Sequence, residues 1–291
     1  MEAWIPITIA AAFLQNVRSM LQKQAMRALS SNGAAYTRFC FALPFVWVYF
    51  AVLLSAQAMP ELNWTFLGYC VLGGVAQIAS TSLLVAAFSH GNFAVATAFS
   101  KTEVAQTGLV GLVLLGDALT LSTVSGVIVS FFGVVILSTR GRIGSIRDGQ
   151  RALVLGLLAG TGLALASVSY RAAALSLSDG GFLIRAGTTL AVTVTLQSLL
   201  MGVYLWAREP GEIGRVLGSW RSSVWVGLSG ALASVAWFTA MTLVSAVLVR
   251  ALGQVELLFT FAASVWFFKE QVHARDLAGA GLIVAGVLLL L

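Results

Sequence analysis

Charge is what this chain has least of. Only 10% of its 291 residues are Asp, Glu, Lys or Arg, against about 25% in ordinary soluble domains. Hydrophobic residues make up 59%. A soluble protein of this length cannot hide that much apolar surface, whereas a bilayer can. Histidine and cysteine are scarce too, with two of each. His90 and His273 fall in expected loops, and no His/Asp cluster of metal-ligand spacing occurs, so no metal or other cofactor is expected. Cys40 and Cys70 lie in apolar segments and read as small buried residues, not as a disulfide. A basic leader is also missing. Met1–Glu2 gives an acidic start, so no cleavable signal is expected. The net charge of +6 is carried by short loops between apolar runs. That points to topology control and not to nucleic acid.

The apolar runs are there in number. A hydrocarbon core needs about 20 helical residues to cross. Ten such segments are predicted, over residues 4–22, 34–54, 66–89, 92–115, 121–138, 152–174, 180–205, 222–244, 246–267 and 275–291. Trp4, Trp64, Trp206, Trp220 and Trp225 fall near their ends, where indole prefers the membrane interface. Small-residue spacings such as Gly156-x-x-x-Gly160 suit close helix packing.

The chain also reads twice. A shift of 153 positions places Glu103 on Glu256, Thr107 on Thr260, Gly126 on Gly279 and Gly133 on Gly286. It places Arg18 on Arg171, and Asp117 on the acidic Glu270. The basic stretch Arg140 to Arg151 is the expected linker, giving repeats over 1–145 and 146–291. Five spans in each is an odd number, so the second repeat enters from the opposite side. The expected fold is an all-α membrane protein of ten transmembrane helices, arranged as two inverted five-helix repeats around a central cavity. Loops after spans 1, 5, 7 and 9 carry Lys23, Arg27, Arg140, Arg142, Arg147, Arg151, Arg208, Arg215, Arg221, Lys269 and Arg275. The alternate loops hold Glu61, Asp117 and Asp179. The positive-inside rule makes the first set cytoplasmic and both termini periplasmic.

A carboxylate within a hydrocarbon-length segment is costly and points to function. Thr97, Ser100, Glu103 and Thr107 share one face of span 4 at helical spacing. Arg250, Gly253, Glu256 and Thr260 match them in span 9, and Lys101 matches Gln254. In inverted-repeat carriers the substrate site lies at the repeat interface near the midplane, which places it between spans 4 and 9. Gln15, Gln77 and Thr81 add polar groups from spans 1 and 3. Phe99, Tyr170 and Trp237 add aromatic surface for an apolar side chain. Two readings of the glutamates stand side by side. Arg18 and Arg171 could neutralise them as scaffold ion pairs, or the carboxylates could bind substrate or carry a proton. Arg250 and Lys101 could likewise bind a carboxylate or balance a glutamate. The balance of these favours an ion pair with facilitated, uncoupled transport.

At these residues the chain resembles the EamA-type transporters of the drug/metabolite transporter superfamily. Lys101-Thr102-Glu103-Val104 through Gly116-Asp117-Ala118-Leu119 is similar to the span-4 signature, and Gly253-Gln254-Val255-Glu256 through Phe268-Lys269-Glu270 to its second copy. Val104 stands where the family's Glu is usually followed by proline. The run from Gly253 to Phe261 is most similar to the YddG-type aromatic amino acid exporters. The resemblance implies export of amino acids, aromatic or large apolar, from the bacterial cytoplasm across the inner membrane by alternating access. Multidrug, nucleobase and sugar-nucleotide exporters of the superfamily are the alternatives. The expected partners are the small-molecule substrate and the lipid bilayer, with a monomer as the expected state.

An intramembrane enzyme is disfavoured, because no Gly-x-Ser-x-Gly occurs and both histidines fall in loops. A channel is expected to show oligomer-forming features or a repeated charged ring, and neither is evident.

Overall fold

The computed structural model describes residues 2–25, 29–89, 99–139, 146–268 and 273–290. Thr97, His90, Arg27, Arg140, Arg142, Lys269, Glu270 and the first half of the expected linker lie outside the described residues, as does the side chain of Thr260. All regular structure among the described residues is helical. With no water to satisfy N–H and C=O groups, a membrane-spanning chain must bond them internally, and the helix does so within one segment.

The helices are α1 (Trp4–Ala25), α2 (Ser31–Cys40), α3 (Leu43–Ala56), α4 (Trp64–Ser89), α5 (Glu103–Leu115), α6 (Leu121–Thr139) and α7 (Ile146–Ser176). They continue as α8 (Phe182–Arg208), α9 (Glu212–Gly218), α10 (Trp220–Leu243), α11 (Ala246–Leu252), α12 (Val255–Phe268) and α13 (Ala274–Leu290). Five stretches among the described residues are long and apolar enough to cross a bilayer: Ser31–Ala56, Trp64–Leu84, Leu153–Ser176, Phe182–Arg208 and Trp220–Leu243. The chain is thus a multi-pass membrane protein. Trp64, Trp206, Trp220 and Trp225 stand exposed at or near helix ends, as their interfacial preference requires, whereas Trp4 is buried.

The sequence expectation of unbroken spans fails at three places. Span 2 breaks at Phe41–Ala42, because Pro44 fits only the first turn of a new helix. Spans 4 and 9 tighten beside their glutamates. Thr102 N–H donates to Phe99 O, three residues back, and Gln254 N–H to Ala251 O. Each bond closes a 3₁₀-type turn, so α5 and α12 begin as separate helices with Glu103 and Glu256 in their first turns. The other end of α5 follows the expected turn. Gly116 adopts φ 67°, a conformation that a β-carbon penalises, and Asp117 N–H donates to Gly111 O.

By contact the chain divides into two compact units, Met1–Ile78 with Ser169–Val244, and Ala79–Val168 with Ser245–Leu291. Each draws on both halves of the sequence, and the division falls inside α4 and α7.

In the first unit α1 packs along α10, and α3 along α8. A β-carbon on Gly227 would stand 2.3 Å from the Phe41 carbonyl carbon. The α10 backbone therefore rests directly on the break between α2 and α3. Phe66, Cys70, Ala173 and Leu177 form a buried cluster, while Cys40 is only half-buried. The N-terminus of α2 is clasped by two carboxylates. Glu212 Oε1 accepts from Ser30 N–H (2.7 Å), and Glu209 accepts from Ser30 Oγ (2.6 Å) and Asn32 Nδ2 (2.7 Å).

In the second unit α6 and α13 form the closest helix pair. A β-carbon on Gly133 would stand 2.7 Å from Gly279 O, and one on Gly286 would stand 2.7 Å from Gly126 O. As the residue number rises on one helix it falls on the other, so the pair is antiparallel. Without a hydrophobic drive between helices in lipid, such backbone contact supplies dispersion in its place.

Candidate functional site

The second unit brings the two sequence halves together at one ion pair. Arg250 Nη2 lies 3.0 Å from Glu103 Oε2, and both side chains are more than nine-tenths buried. Arg250 occupies the last turn of α11 and Glu103 the first turn of α5. Each charge therefore faces the favourable end of its own helix dipole. Val104, Val127, Val247 and Ala251 pack as an apolar cluster beside the pair. A buried pair in such surroundings keeps its geometry because either charge alone would be strongly disfavoured.

The tightened turn before Glu103 is braced from α7. A β-carbon on Gly160 would stand 2.9 Å from Ser100 O and 3.3 Å from Glu103 N. Gln106 Nε2 donates to Thr102 Oγ1 at 2.8 Å and reaches Leu157 O at 3.4 Å. Thr107 Oγ1 donates to Glu103 O at 2.6 Å. Around the turn, Lys101, Ser130 and Gln254 line a narrow crevice with Val104, Phe131 and Val134. Ser100 and Gln254 are buried, and Phe99, Lys101 and Glu256 are half-buried. The structure thus assembles Phe99, Ser100, Lys101, Glu103, Arg250, Gln254 and Glu256 in one unit, with Thr81 also belonging to it.

The remaining candidates fall in the first unit. Trp237 Nε1 donates to Gln15 Oε1 at 3.0 Å across α10 and α1. Gln77 Oε1 accepts from Gln197 Nε2 at 2.7 Å, and the Tyr170 hydroxyl lies 3.0 Å from both Gln77 Oε1 and Gly73 O. The Tyr170 ring stacks on Phe238, with centroids 4.6 Å apart and planes at 24°.

One expectation needs correction. The stripe in span 4 is not one continuous helical face, because the turn at Lys101–Thr102 interrupts it. Glu103 pairs with Arg250, one of the cations that the sequence offered to balance a glutamate. Arg171 caps a helix: its Nη1 donates to Met241 O at 2.9 Å and to Val244 O, at the end of α10. Three polar positions with contacts inside the units escaped the sequence reading: Arg38, Gln106 and Gln197. Each is a polar residue inside a predicted span, which was the available signal.

The metal question is also chemical. Among the described residues, no three His, Cys, Asp or Glu side chains gather as a ligand set. What the site offers instead is charge and hydrogen-bonding capacity held inside apolar helices.

No curated protein matches the chain significantly in sequence. A solved structure described only as "Crystal structure of protein" is similar to it with a TM-score of 0.74 at 16% identity, covering 99% of this chain and 96% of that one. That likeness concerns the fold. The profile of the EamA-like transporter family matches residues 2–139 and, separately, residues 150–291.

Proposed function

Because the chain belongs to the EamA-like transporter family, we propose that it exports amino acids with aromatic or large apolar side chains from the bacterial cytoplasm, across the inner membrane, by alternating access. In this reading it has ten spans in two inverted repeats, over 1–145 and 146–291, and both termini are periplasmic. The reciprocal glycine contacts support the inversion. Gly133 meets Gly279, the repeat mate of Gly126, and Gly286, the repeat mate of Gly133, meets Gly126. A two-fold relation between repeats requires this exchange of partners.

One observation carries the substrate class best. Glu103 and Glu256 are repeat mates, and each opens a helix after a tightened turn, beside Lys101 and Gln254. Carriers commonly bind charged groups at discontinuous helices. A zwitterion needs an acceptor for its ammonium and donors for its carboxylate. Glu256 is suited to the first role, and Lys101, Ser100 and Gln254 to the second. Phe99, in the same unit, offers aromatic surface to the side chain, and the resemblance to YddG-type exporters suggests an aromatic substrate. With Glu103 engaged by Arg250, transport is facilitated and not proton-driven.

The test is counterflow in liposomes containing the purified protein. Labelled L-phenylalanine should exchange with unlabelled phenylalanine, tryptophan and leucine. Competition by nucleobases or cationic drugs, with none by amino acids, would overturn the assignment.

A further inference from the structure

We propose that the close of α8, the short α9 and the start of α10 form a binding surface for anionic phospholipid at one end of the first unit. α8 runs for 27 residues, from Phe182 to Arg208, which is about 40 Å at 1.5 Å per residue. A bilayer with its headgroup layers is about 40–45 Å thick. A helix of that length reaches from one headgroup layer to the other. Its two ends differ in charge. Glu61 and Asp179 stand exposed near the first, where a β-carbon on Gly180 would lie 3.7 Å from Pro60 Cγ and where Arg185 is half-buried. Arg208, Arg215 and Arg221 stand exposed at the second.

The indoles fix the depth of this second end independently. Trp206 is 76% exposed and Trp220 56%, and an exposed indole in a membrane protein belongs at the headgroup level. Arg208 comes two residues after the first and Arg221 directly after the second. Both arginines therefore stand at the depth of the lipid phosphates. The helix α9 lies between them in the chain. Its Glu212 and Val216 are fully buried, with Val216 against Leu29 and Ala34, whereas Arg215 and Leu217 are exposed. One side of α9 is thus packed on the unit, and the other offers a charge and an apolar side chain to the interface.

Topology requires only that the positive charges stay on one side of the membrane. The structure adds where the neighbouring negative charges go. Glu209 accepts from Ser30 Oγ and Asn32 Nδ2, and Glu212 from Ser30 N–H, so both carboxylates turn inward to α2. Glu212 also pairs with Arg215. Among the described residues, Arg208 and Arg221 pair with no carboxylate. The Arg221 guanidinium lies over the Trp220 ring, 5.7 Å from its centroid. Such a stack leaves the N–H edge for phosphate oxygens, which a guanidinium engages in pairs. A zwitterionic headgroup would bring its own ammonium to this cluster, whereas phosphatidylglycerol brings a phosphate alone. The surface therefore selects the anionic class.

Neither the transported substrate nor the proposed orientation enters this inference. The experiment measures thermal unfolding of the full-length protein in detergent micelles doped with dioleoyl phosphatidylglycerol, with dioleoyl phosphatidylcholine or with inorganic phosphate. Phosphatidylglycerol should raise the unfolding midpoint, and the other two should not. In Arg208→Gln/Arg221→Gln the apparent affinity for phosphatidylglycerol should fall about twentyfold, from about fivefold for each interfacial arginine. Both side chains are exposed and outside any carboxylate pair, so the fold should persist. Should it not, Arg208→Lys/Arg221→Lys keeps the charge without the fork, and a several-fold loss is expected. Arg151→Gln/Arg275→Gln removes the same charge from exposed positions of the second unit and should leave the response as in the wild type. Equal losses in the two glutamine pairs would reduce the effect to net charge and overturn the site. So would stabilisation by phosphatidylcholine equal to that by phosphatidylglycerol, a match between free phosphate and the lipid, or unchanged affinity in a folded Arg208/Arg221 variant.

Discussion

Arg250 and Glu103 join helices from opposite halves of the chain, 3.0 Å apart and almost fully buried. Neither residue has its partner's charge at the matching place in the other repeat. Arg250 corresponds to Thr97, and Glu103 to Glu256. Duplication supplied the two carboxylates, and the second half alone added the cation.

Removing one member should therefore strand the other. Glu103→Gln is expected to destabilise the folded protein by about 3–5 kcal/mol, the cost of an uncompensated buried charge. The double variant Glu103→Gln/Arg250→Gln should recover at least half of that loss. Thermal unfolding in detergent, read for all three variants, checks the pairing. A double variant no better than the single would contradict it.

The α6–α13 contact gives a second prediction with an internal control. A β-carbon on Gly286 would stand 2.5 Å from Ser130 N, whereas one on Gly281, on the same helix, meets nothing within 4 Å. Gly286→Ala should lower stability by about 1–3 kcal/mol, as overpacking does. Gly281→Ala should be close to neutral. Folded yield after size-exclusion chromatography separates the two.

How much of this was legible in the sequence depends on the kind of residue. Gly126, Gly133, Gly279 and Gly286 announced the repeat, and their contacts are where that repeat led. Gly116–Asp117 announced a turn because a glycine with positive φ is a local requirement. The breaks before Glu103 and Glu256 were not legible. No proline marks them, since Val104 follows Glu103, and a 3₁₀-type turn needs no special residue. Partner choice was illegible for another reason. Arg18, Arg171 and Arg250 all lay at depths compatible with a glutamate, and only packing decides among equal candidates.

The clasp on α2 yields a third prediction. Glu212 is fully buried and accepts from Ser30 N–H. It also pairs with Arg215. Glu212→Ala should cost about 1–3 kcal/mol, because it leaves a backbone donor without its acceptor. The exposed Glu61 serves as control, and Glu61→Ala should stay within about 0.5 kcal/mol of wild type. Chemical denaturation of both variants provides the comparison.

Orientation can be tested independently of stability. Alkaline phosphatase fused after Leu291 should be active, and green fluorescent protein fused after Gly144 should fluoresce. A fluorescent fusion after Leu291 would reverse the proposed topology.

The composition of the first unit has a consequence for the order of events during synthesis. Its α1 finds its packing partner in α10, which begins at Trp220. At about 5–20 residues per second, roughly ten to forty seconds separate the emergence of the two. Throughout that interval Gln15 waits for the indole of Trp237, and Arg18 lies in a helix whose partner surface does not yet exist. The nascent first half therefore has polar groups to shelter before its fold can close. Its dwell beside the insertion machinery is set by the length of the chain between the two helices. Slowing translation between Ile78 and Ser169 should prolong that exposure and raise the fraction degraded, without changing one residue of the finished protein.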